Sequence, residues 1–479
     1  MNAADSADSL DSRLSPLTQN QALAAVEGIL NGFTHFGVEL GLERIERLLA
    51  DLGNPHHAVP IVHVAGSNGK GSVCAYLSSI LSEAGYRVGR YTSPHLVSWC
   101  ERICLNQQPI EPLALYEVVQ QVVAAIRPNY PSPTQFEVIT AAAWLYFAQQ
   151  QVDVAVIEVG LGGRLDATNV CDRPLVSVIT SLSREHWQRL GPTLADISRE
   201  KAGILKPNCP AVIAPQPADA AAVLEQRLQE LDCPAIWVQP ARDVGNGWAE
   251  WEGWQADPRS TLSSIPPLRY PVPLLGAHQL INSAVAMAAI QVLRQQGWPI
   301  EESHILQGMA RTQWQGRLQW ITWQNRPLLI DGAHNPAGAA TLRHYLDAGI
   351  NAGQMAQPGS KPLSTPPIYP PIYWVIGMIA NKDHADVFQA LLRPGDSLAL
   401  VPVPDHLAVD LPNLANLAQQ VCPQLAACGV FPDVLEALEA AMQATQAGAA
   451  TVVLCGSLYL IGHFLARSTG QGVAPSTTV

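Results

Sequence analysis

The sequence predicts an α/β protein with two units: a larger domain built on a doubly wound, mostly parallel sheet, and a smaller Rossmann-like α/β domain after it. The first observation behind this prediction is the alternation of short apolar runs with helical patterns along most of the 479 residues. The second is a restart of that alternation near residue 314. A parallel sheet is buried on both faces, so its strands are apolar throughout, as these runs are.

The larger domain is assigned to residues 18–313. Residues 1–17, rich in Ser, Asp and Ala, are expected to form a disordered tail before it. A Trp- and Pro-rich region at 237–273 interrupts the pattern and is expected to be irregular or antiparallel. The predicted strands lie at 60–65, 86–91, 152–159, 175–180 and 211–214, and the predicted helices at 73–84, 136–149, 218–231 and 278–295.

The smaller domain is assigned to residues 314–479. Residues 351–371, full of Pro, Gly, Ser and Gln, are expected to form a flexible insertion on its surface. The predicted strands lie at 328–331, 373–378, 397–401 and 451–455. One predicted helix begins at 337, and two others lie at 384–392 and 433–445.

Composition excludes several classes of protein. Lys and Arg number 28 against 40 Asp and Glu, and no basic block occurs, so we expect no nucleic-acid partner. The nine cysteines are scattered without a C-x-x-C pair, which favours reduced thiols in the cytoplasm. The longest uncharged apolar stretch, near 452–466, is shorter than the roughly 20 residues of a membrane helix, so we expect no membrane partner.

The glycine-rich turn at 66–72 is the most informative segment. Gly66, Gly69 and Gly71 let the backbone curl so that its N–H groups form an anion nest at the start of a helix. Lys70 adds a full positive charge, and it is one of only five lysines in the chain. The spacing departs from G-x-x-x-x-G-K-[ST], and a plain tight turn is the alternative. We interpret the segment as a P-loop that binds nucleotide phosphates.

Other polar residues follow the predicted strands. Ser93, Glu158 and His186 each come after a strand of the first domain, and ligands bind at that edge of open α/β sheets. Each has a simpler interpretation: Ser93 as a turn residue, Glu158 as a solvated strand end and His186 as a surface histidine. If they converge beside Lys70, a hydroxyl, a carboxylate and an imidazole become candidate Mg²⁺ ligands against the β- and γ-phosphates.

Taken together, the motifs resemble the folylpolyglutamate synthase/dihydrofolate synthase family of the Mur ligase superfamily. The similarity extends from about residue 33 to 462, and the run from Glu158 to Asn169 is highly specific to that family. The other matching segments are 63–72, 92–96, 199–204, 331–336 and 455–459.

The resemblance implies roles for individual residues. Lys70 and Lys201 would be catalytic, Lys201 as a carbamate beside the metal, and His334 would lie near the incoming glutamate; from its position alone, Lys201 could instead pair with Glu200 or another nearby acid. The implied ATP contacts are Gly69, Lys70, Gly71, Ser72, Asn282, Arg317 and Asp331. The implied pterin contacts are Thr134, Gln135, Phe136, Glu137, Leu165, Asp166 and Ala167. The implied magnesium ligands, for two ions, are Ser93, Glu158 and His186.

The implied activity is ATP-dependent ligation of L-glutamate to dihydropteroate or a reduced folate through an acyl phosphate, by a monomer. Some positions depart from the family pattern: Glu185 stands where Asp is usual before the ligand histidine, Trp314-Gln315-Gly316-Arg317 lacks a Pro, and Asn381 replaces an Asp. The alternatives are another Mur-type ligase that acts on a cell-wall precursor, and a nucleotide-binding protein without catalysis.

Overall fold

The structure is a computed structural model that describes residues 17–33, 39–254, 264–351, 371–404, 409–445, 450–468 and 474–475. The predicted tail at 1–17 and insertion at 351–371 lie almost wholly outside these residues. Within the described ranges, no helix is both long and apolar enough to cross a membrane.

The first half of the chain forms an eight-stranded sheet with the order β4-β3-β2-β5-β1-β6-β7-β8. Strands β2, β5, β1, β6, β7 and β8 are parallel, while β3 and β4 are added antiparallel at one edge. The mostly parallel sheet predicted from the sequence is therefore confirmed. The strands are β1 (Ile61–Ala65), β2 (Val88–Tyr91), β3 (Ile103–Leu105), β4 (Gln108–Pro109), β5 (Val154–Glu158), β6 (Val176–Ile179), β7 (Ala211–Ile213) and β8 (Ala235–Trp237).

Helices cover both faces of this sheet. Val62 and Val64 of β1 pack into one apolar cluster, and Ile61 packs into another on the opposite face, as alternation along a strand requires. All five residues of β1 are buried, which explains why its sequence is apolar apart from His63. The helices are α1 (Gln19–Asn31), α2 (Glu43–Asp51), α3 (Lys70–Glu83), α4 (Pro112–Ala125), α5 (Gln135–Gln149), α6 (Trp187–Leu190), α7 (Leu194–Ala202), α8 (Ala218–Glu230), α9 (His278–Gln295) and α10 (Glu302–Arg311).

The region predicted to be irregular or antiparallel contains a small antiparallel sheet of three strands, ordered β11-β10-β9. Ala249, Trp251 and Tyr270 from this sheet are buried in the same cluster as α3 and α9. The sheet therefore extends the core of the first half instead of forming a separate unit. Its strands are β9 (Arg242–Gly245), β10 (Trp248–Trp251) and β11 (Leu268–Pro271).

The second half forms a seven-stranded sheet with the order β16-β15-β14-β17-β13-β12-β18. Strands β16 to β13 in this order are parallel, and β12 and β18 are antiparallel at one edge. The strands are β12 (Gln319–Trp323), β13 (Arg326–Ile330), β14 (Ile372–Ile376), β15 (Ser397–Leu400), β16 (Ala427–Val430), β17 (Thr451–Cys455) and β18 (Ala474–Pro475). The helices are α11 (Pro336–Asn351), α12 (His384–Leu391), α13 (Leu411–Val421), α14 (Val434–Ala444) and α15 (Leu458–Ser468).

Specific contacts join the two halves near the ends of the parallel strands. Asn335 Nδ2 donates to Asn68 Oδ1 at 3.1 Å, which links the start of α11 to the glycine-rich turn. Trp187 Nε1 donates to Asp383 Oδ1, also at 3.1 Å. At Gly462 in α15, a Cβ atom would lie 1.7 Å from the carbonyl oxygen of Leu96, so this contact leaves no room for a side chain.

Candidate active site

The predicted P-loop connects β1 to α3, and its glycines are required by space as well as by backbone angle. Gly69 has φ of +93°, and a Cβ atom there would lie 2.2 Å from Asn282 Oδ1. At Gly71, a Cβ would lie 2.5 Å from the ring of Trp314. The predicted nucleotide residue Asn282, on α9, is therefore in direct contact with the loop.

Lys70 is the first residue of α3, and its ammonium group folds over the loop. Its Nζ donates to the carbonyl oxygens of Gly66 and Ser67, at 3.0 and 3.4 Å. The hydroxyl of Ser72 accepts a hydrogen bond at 3.3 Å from Gln279 of α9. The loop thus combines a helix N-terminus and a lysine, which together favour a bound anion.

Glu158 is the last residue of β5 and is buried. Its Oε2 accepts a hydrogen bond from the backbone N–H of Ser93 at 3.1 Å, so two of the three predicted metal ligands are in contact. Burial raises the pKa of Glu158, and the positive charge of Lys70 opposes that shift. A buried carboxylate of this kind is stabilised by a cation.

His186, the third predicted ligand, lies immediately before α6 with φ of +48°. Burial lowers its pKa to about 4, although Glu185 opposes the shift, so the imidazole is neutral at pH 7 and has a lone pair available. Among the described residues, no three His, Cys, Asp or Glu side chains form a cluster that could hold a metal ion. Proteins usually hold Mg²⁺ through one or two carboxylates together with substrate phosphates.

Lys201 forms a buried ion pair next to the P-loop with a partner that sequence reasoning did not identify. Lys201 Nζ lies 2.9 Å from Glu185 Oε1 and donates to the Gly66 carbonyl at 2.7 Å. Glu200, the neighbour considered as a partner for Lys201, pairs with Arg164 instead. The departure from the family pattern at Glu185 was the only signal in the sequence.

The two members of this pair respond differently to burial. Burial alone would raise the pKa of Glu185, but the charges of Lys201 and Lys70 outweigh it and hold the pKa below its usual range. Burial lowers the pKa of Lys201, although Glu185 opposes that shift. Glu185 is therefore ionised at neutral pH, and the amine of Lys201 gives up its proton more readily than an exposed lysine.

A cavity of about 570 Å³ opens between the two halves and is lined by residues of both. All of the predicted pterin contacts line it, as do Ser93, His186 and His334. Lys70, Glu158 and Lys201 are not among the lining residues, but Glu158 contacts Ser93, which is. The predicted pterin contacts in the wall are Thr134, Gln135, Phe136, Glu137, Leu165, Asp166 and Ala167.

Several of these wall residues are also fixed by the protein itself. Thr134 caps α5, and Glu137 accepts from the Thr134 N–H at 2.6 Å and pairs with Arg44 at 3.0 Å. Asp166 accepts from the Leu161 N–H at 2.8 Å and from the Thr168 hydroxyl at 2.6 Å. These carboxylates therefore brace the cavity wall, whatever else they contact.

The second half contributes three predicted residues near the connection between the sheets. The two oxygens of Asp331 accept from the N–H groups of Leu318 and Ala333, both at 2.8 Å. His334 Nδ1 lies 2.7 Å from the Gly332 carbonyl, which can only accept, so Nδ1 carries the proton and Nε2 is an acceptor. Burial lowers the pKa of His334 to about 3. Burial raises the pKa of Asp331, and the positive charge of Arg317 opposes that shift.

Comparison with known proteins gives two family matches. Residues 64–290 match the Mur ligase middle domain, and residues 315–467 match the C-terminal domain of dihydrofolate synthetase. The segment between the two matches, residues 291–314, precedes the first strand of the second sheet. The first half thus belongs to the Mur class of ligases, and the second half narrows the class to the enzymes that act on folates.

Individual relatives agree with the family models. Dihydrofolate synthase/folylpolyglutamate synthase of Bacillus subtilis is 37% identical over 319 residues, covering 65% of this chain and 73% of the relative. Dihydrofolate synthetase of Saccharomyces cerevisiae is 32% identical over 449 residues, covering 89% and 97%. The structure of FolC from Escherichia coli in complex with DHPP and ADP superposes with a TM-score of 0.74 at 29% identity, covering 95% of this chain and 99% of the other.

These matches give both the class and the family of the protein. The fold is that of an ATP-dependent Mur-type ligase. Within that class, the chain belongs to the folylpolyglutamate synthase/dihydrofolate synthase family.

Proposed function

We propose that this enzyme joins L-glutamate to dihydropteroate and to reduced folates at the expense of ATP, acting as a cytoplasmic monomer. The proposal is carried by the cavity of about 570 Å³. Its wall contains every predicted pterin contact together with Ser93, which contacts Glu158, and the charge of Lys70 acts on that carboxylate. The Escherichia coli relative, solved with DHPP and ADP, supports the pairing of a pterin ligand with a nucleotide.

The first step is activation of the acid. The substrate carboxylate attacks the γ-phosphorus of ATP, the bond to the β–γ bridging oxygen breaks, and an acyl phosphate and ADP form. Negative charge on the phosphate oxygens is stabilised by Lys70 and by the N–H groups at the start of α3. Arg317 from the second half adds a further cation.

The donor atoms of this site are suited to a magnesium ion. Glu158, Ser93 and His186 would hold it, because the buried carboxylate of Glu158 receives one N–H donor from Ser93 and His186 is neutral. When bound, Mg²⁺ neutralises phosphate charge. We propose that two magnesium ions bind.

The second step forms the amide. The amine of L-glutamate attacks the acyl carbon, and the tetrahedral intermediate expels phosphate. His334 lines the cavity with its Nε2 as an acceptor, but a pKa of about 3 makes it a weak base. We therefore assign it to positioning the amine through a hydrogen bond.

Closure of the two halves protects the acyl phosphate. The hydrogen bonds from Asn335 to Asn68 and from Trp187 to Asp383 hold the second half against loops that carry the P-loop and His186. An acyl phosphate hydrolyses in water, so a closed cavity favours attack by the amine.

Lys201 is proposed to carry a carbamate on its ε-nitrogen. The reaction of the neutral amine with CO₂ would replace the ion pair with Glu185 by two neighbouring anions, and these require a cation such as Mg²⁺ or Lys70 beside them. The buried amine supports the proposal, because burial lowers its pKa and increases the neutral fraction.

The test is a product analysis. The enzyme is incubated with ATP, Mg²⁺ and L-glutamate, and dihydropteroate and tetrahydrofolate are offered separately, with products identified by mass. Addition of one glutamyl residue and release of phosphate are expected for each acid. Phosphate release only with a cell-wall precursor, or no phosphate release at all, would contradict the proposal.

A further inference from the structure

Arg102 is a buried cation in the cavity wall with no acidic partner among the described residues. It ends the 3₁₀ turn Trp99–Arg102, and its backbone carbonyl accepts the N–H of Thr92 at 3.0 Å. It is therefore fixed to the loop that carries Ser93. The side chain is 9% exposed.

The neighbours of the Arg102 guanidinium are neutral. Its Nε donates to His95 Nδ1 at 2.8 Å, and its Cζ lies 4.3 Å from the centre of the Trp99 ring. Burial lowers the pKa of His95 to about 3, so that imidazole stays neutral. The hydroxyl of Tyr91 is close as well, and burial raises its pKa, so it stays protonated.

The acids of the neighbourhood are occupied elsewhere. Glu101, next in sequence, accepts three backbone N–H groups at 2.7 to 2.8 Å. Glu39 and Glu137, in the cavity wall, both pair with Arg44. Asp166 accepts from the Leu161 N–H and from Thr168. Among the described residues, Arg102 therefore forms no ion pair, and the charge of Glu101 acts on it from nearby. A buried charge without an ion pair is costly unless a ligand neutralises it.

We propose that Arg102 binds the α-carboxylate of a glutamyl residue already attached to the acid substrate, so that the enzyme elongates folates as well as making dihydrofolate. This inference rests on the proposed function. Dihydropteroate has one carboxylate, and that group must reach the γ-phosphate. A folate ends in glutamate and has two carboxylates, separated by a short carbon chain.

Arg102 and Ser93 line the same cavity. Ser93, which contacts Glu158, follows Thr92, whose N–H donates to the Arg102 carbonyl. A γ-carboxylate activated near Ser93 places the α-carboxylate a few bonds away. Arginine is suited to that group, since its planar fork makes two parallel hydrogen bonds to a carboxylate.

The experiment compares two acids in two proteins. In Arg102→Gln, the KM for tetrahydrofolate is expected to rise about tenfold or more, because hydrogen bonds to a charged group are lost. The KM for dihydropteroate is expected to change less than about twofold. Arg189→Gln removes an exposed cation of the same cavity wall and serves as the matched control.

A second arm uses the wild-type protein, in case Arg102→Gln folds poorly. The α-methyl ester of tetrahydrofolate lacks the charge that Arg102 is proposed to bind. In the wild type, we expect the ester to bind about tenfold more weakly than tetrahydrofolate. In Arg102→Gln, we expect the ester and tetrahydrofolate to bind equally well. Equal effects on both acids, a change confined to the KM of L-glutamate or ATP, or a wild type that ligates dihydropteroate but never tetrahydrofolate would overturn the inference. Ligation of neither acid would contradict the proposed function itself.

Discussion

Strands β5 and β13 end in similar groups with different surroundings. Glu158 and Asp331 are both buried carboxylates at the carboxyl end of a parallel strand, and burial raises the pKa of both. Both oxygens of Asp331 accept a backbone N–H, from Leu318 and Ala333, whereas Glu158 accepts one N–H, from Ser93.

The difference indicates two roles for a buried carboxylate at the end of a strand. Asp331 fixes the connection into the second half, so its proposed contact with the nucleotide must use the lone pairs that remain. Glu158 has acceptor capacity left for a cation. The edge of the first sheet is therefore expected to supply the chemistry, and the edge of the second sheet the positioning.

The largest effect is expected for Lys70→Ala. The shape of the loop depends on its glycines, whereas its positive charge, which is proposed to face the phosphates, is that of Lys70. The variant should fold normally and lose nearly all ligation, measured as kcat/KM. Retention of more than about a tenth of the wild-type value, a loss below about 1.4 kcal/mol, would show that the assignment is wrong.

The next largest effect is expected at Lys201. Lys201→Ala should be nearly inactive, and a short carboxylate in the buffer should restore part of the activity by replacing the carbamate oxygens. Lys201→Arg should be inactive, because a guanidinium stays protonated and cannot react with CO₂. Lys206→Ala, a half-buried lysine on the same segment, is the control. Full activity in Lys201→Arg would support the plain ion pair with Glu185.

Glu158→Gln should weaken the response to Mg²⁺ far more than the stability of the protein without ligands. The substitution keeps the size of the side chain and removes its charge. His186→Ala should act in the same direction with a smaller loss, since neutral imidazole is a poor ligand for magnesium. The measurement is a magnesium titration of activity, with Glu200→Gln, which breaks an ion pair with Arg164, as the control. Unchanged titrations in both site variants would refute a shared metal site.

Asp331→Asn tests the other side of the comparison. Here the loss is expected in the free energy of unfolding, by about 1–2 kcal/mol, because the charge that holds two backbone N–H groups is removed. The response to Mg²⁺ should stay that of the wild type. Denaturant unfolding together with a magnesium titration checks both statements, and the reverse pattern would mean that Asp331, not Glu158, is the metal-dependent carboxylate.

The last prediction concerns pH. Burial lowers the pKa of His186 to about 4 and that of His334 to about 3. Each contributes stability that is fully present above the unfolded value of about 6.5 and is lost as the pH falls towards the folded value. Each should add about 1.4 kcal/mol per pH unit to the acid slope of the unfolding free energy. His186→Gln should reduce that slope, while the exposed His344→Gln should not. Equal slopes in all three proteins would contradict the buried neutral state.

The fold could be predicted from the sequence largely because the strands are buried on both faces. The helix predicted at 278–295 has those bounds in the structure, and the strand predicted at 152–159 is Val154–Glu158. The antiparallel strands β3 and β4 were not predicted, since they are only three and two residues long. Such short segments carry no periodic signal.

The grouping of the candidate site residues could be predicted where they are close in sequence or at strand ends, and less so where pairing is long-range. The ion pair of Lys201 with Glu185 joins two segments through the fold, while sequence proximity suggested Glu200. Likewise, nothing in the sequence indicates that Arg44 binds the carboxylate of Glu137. Partner choice between charged residues depends on three-dimensional distance and burial, and spacing along the chain does not encode either.

The close contact of Gly462 with the Leu96 carbonyl bears on how far the two halves are modular. Helix α15 of the second half rests its bare backbone on the loop that presents Ser93, so that loop has its native surroundings only when both halves are present. The first half expressed alone would lack one wall of its own ligand-binding loop. A chimera that joins this first half to the second half of another ligase would need a glycine at the same point, because even a methyl group there would push the two halves apart.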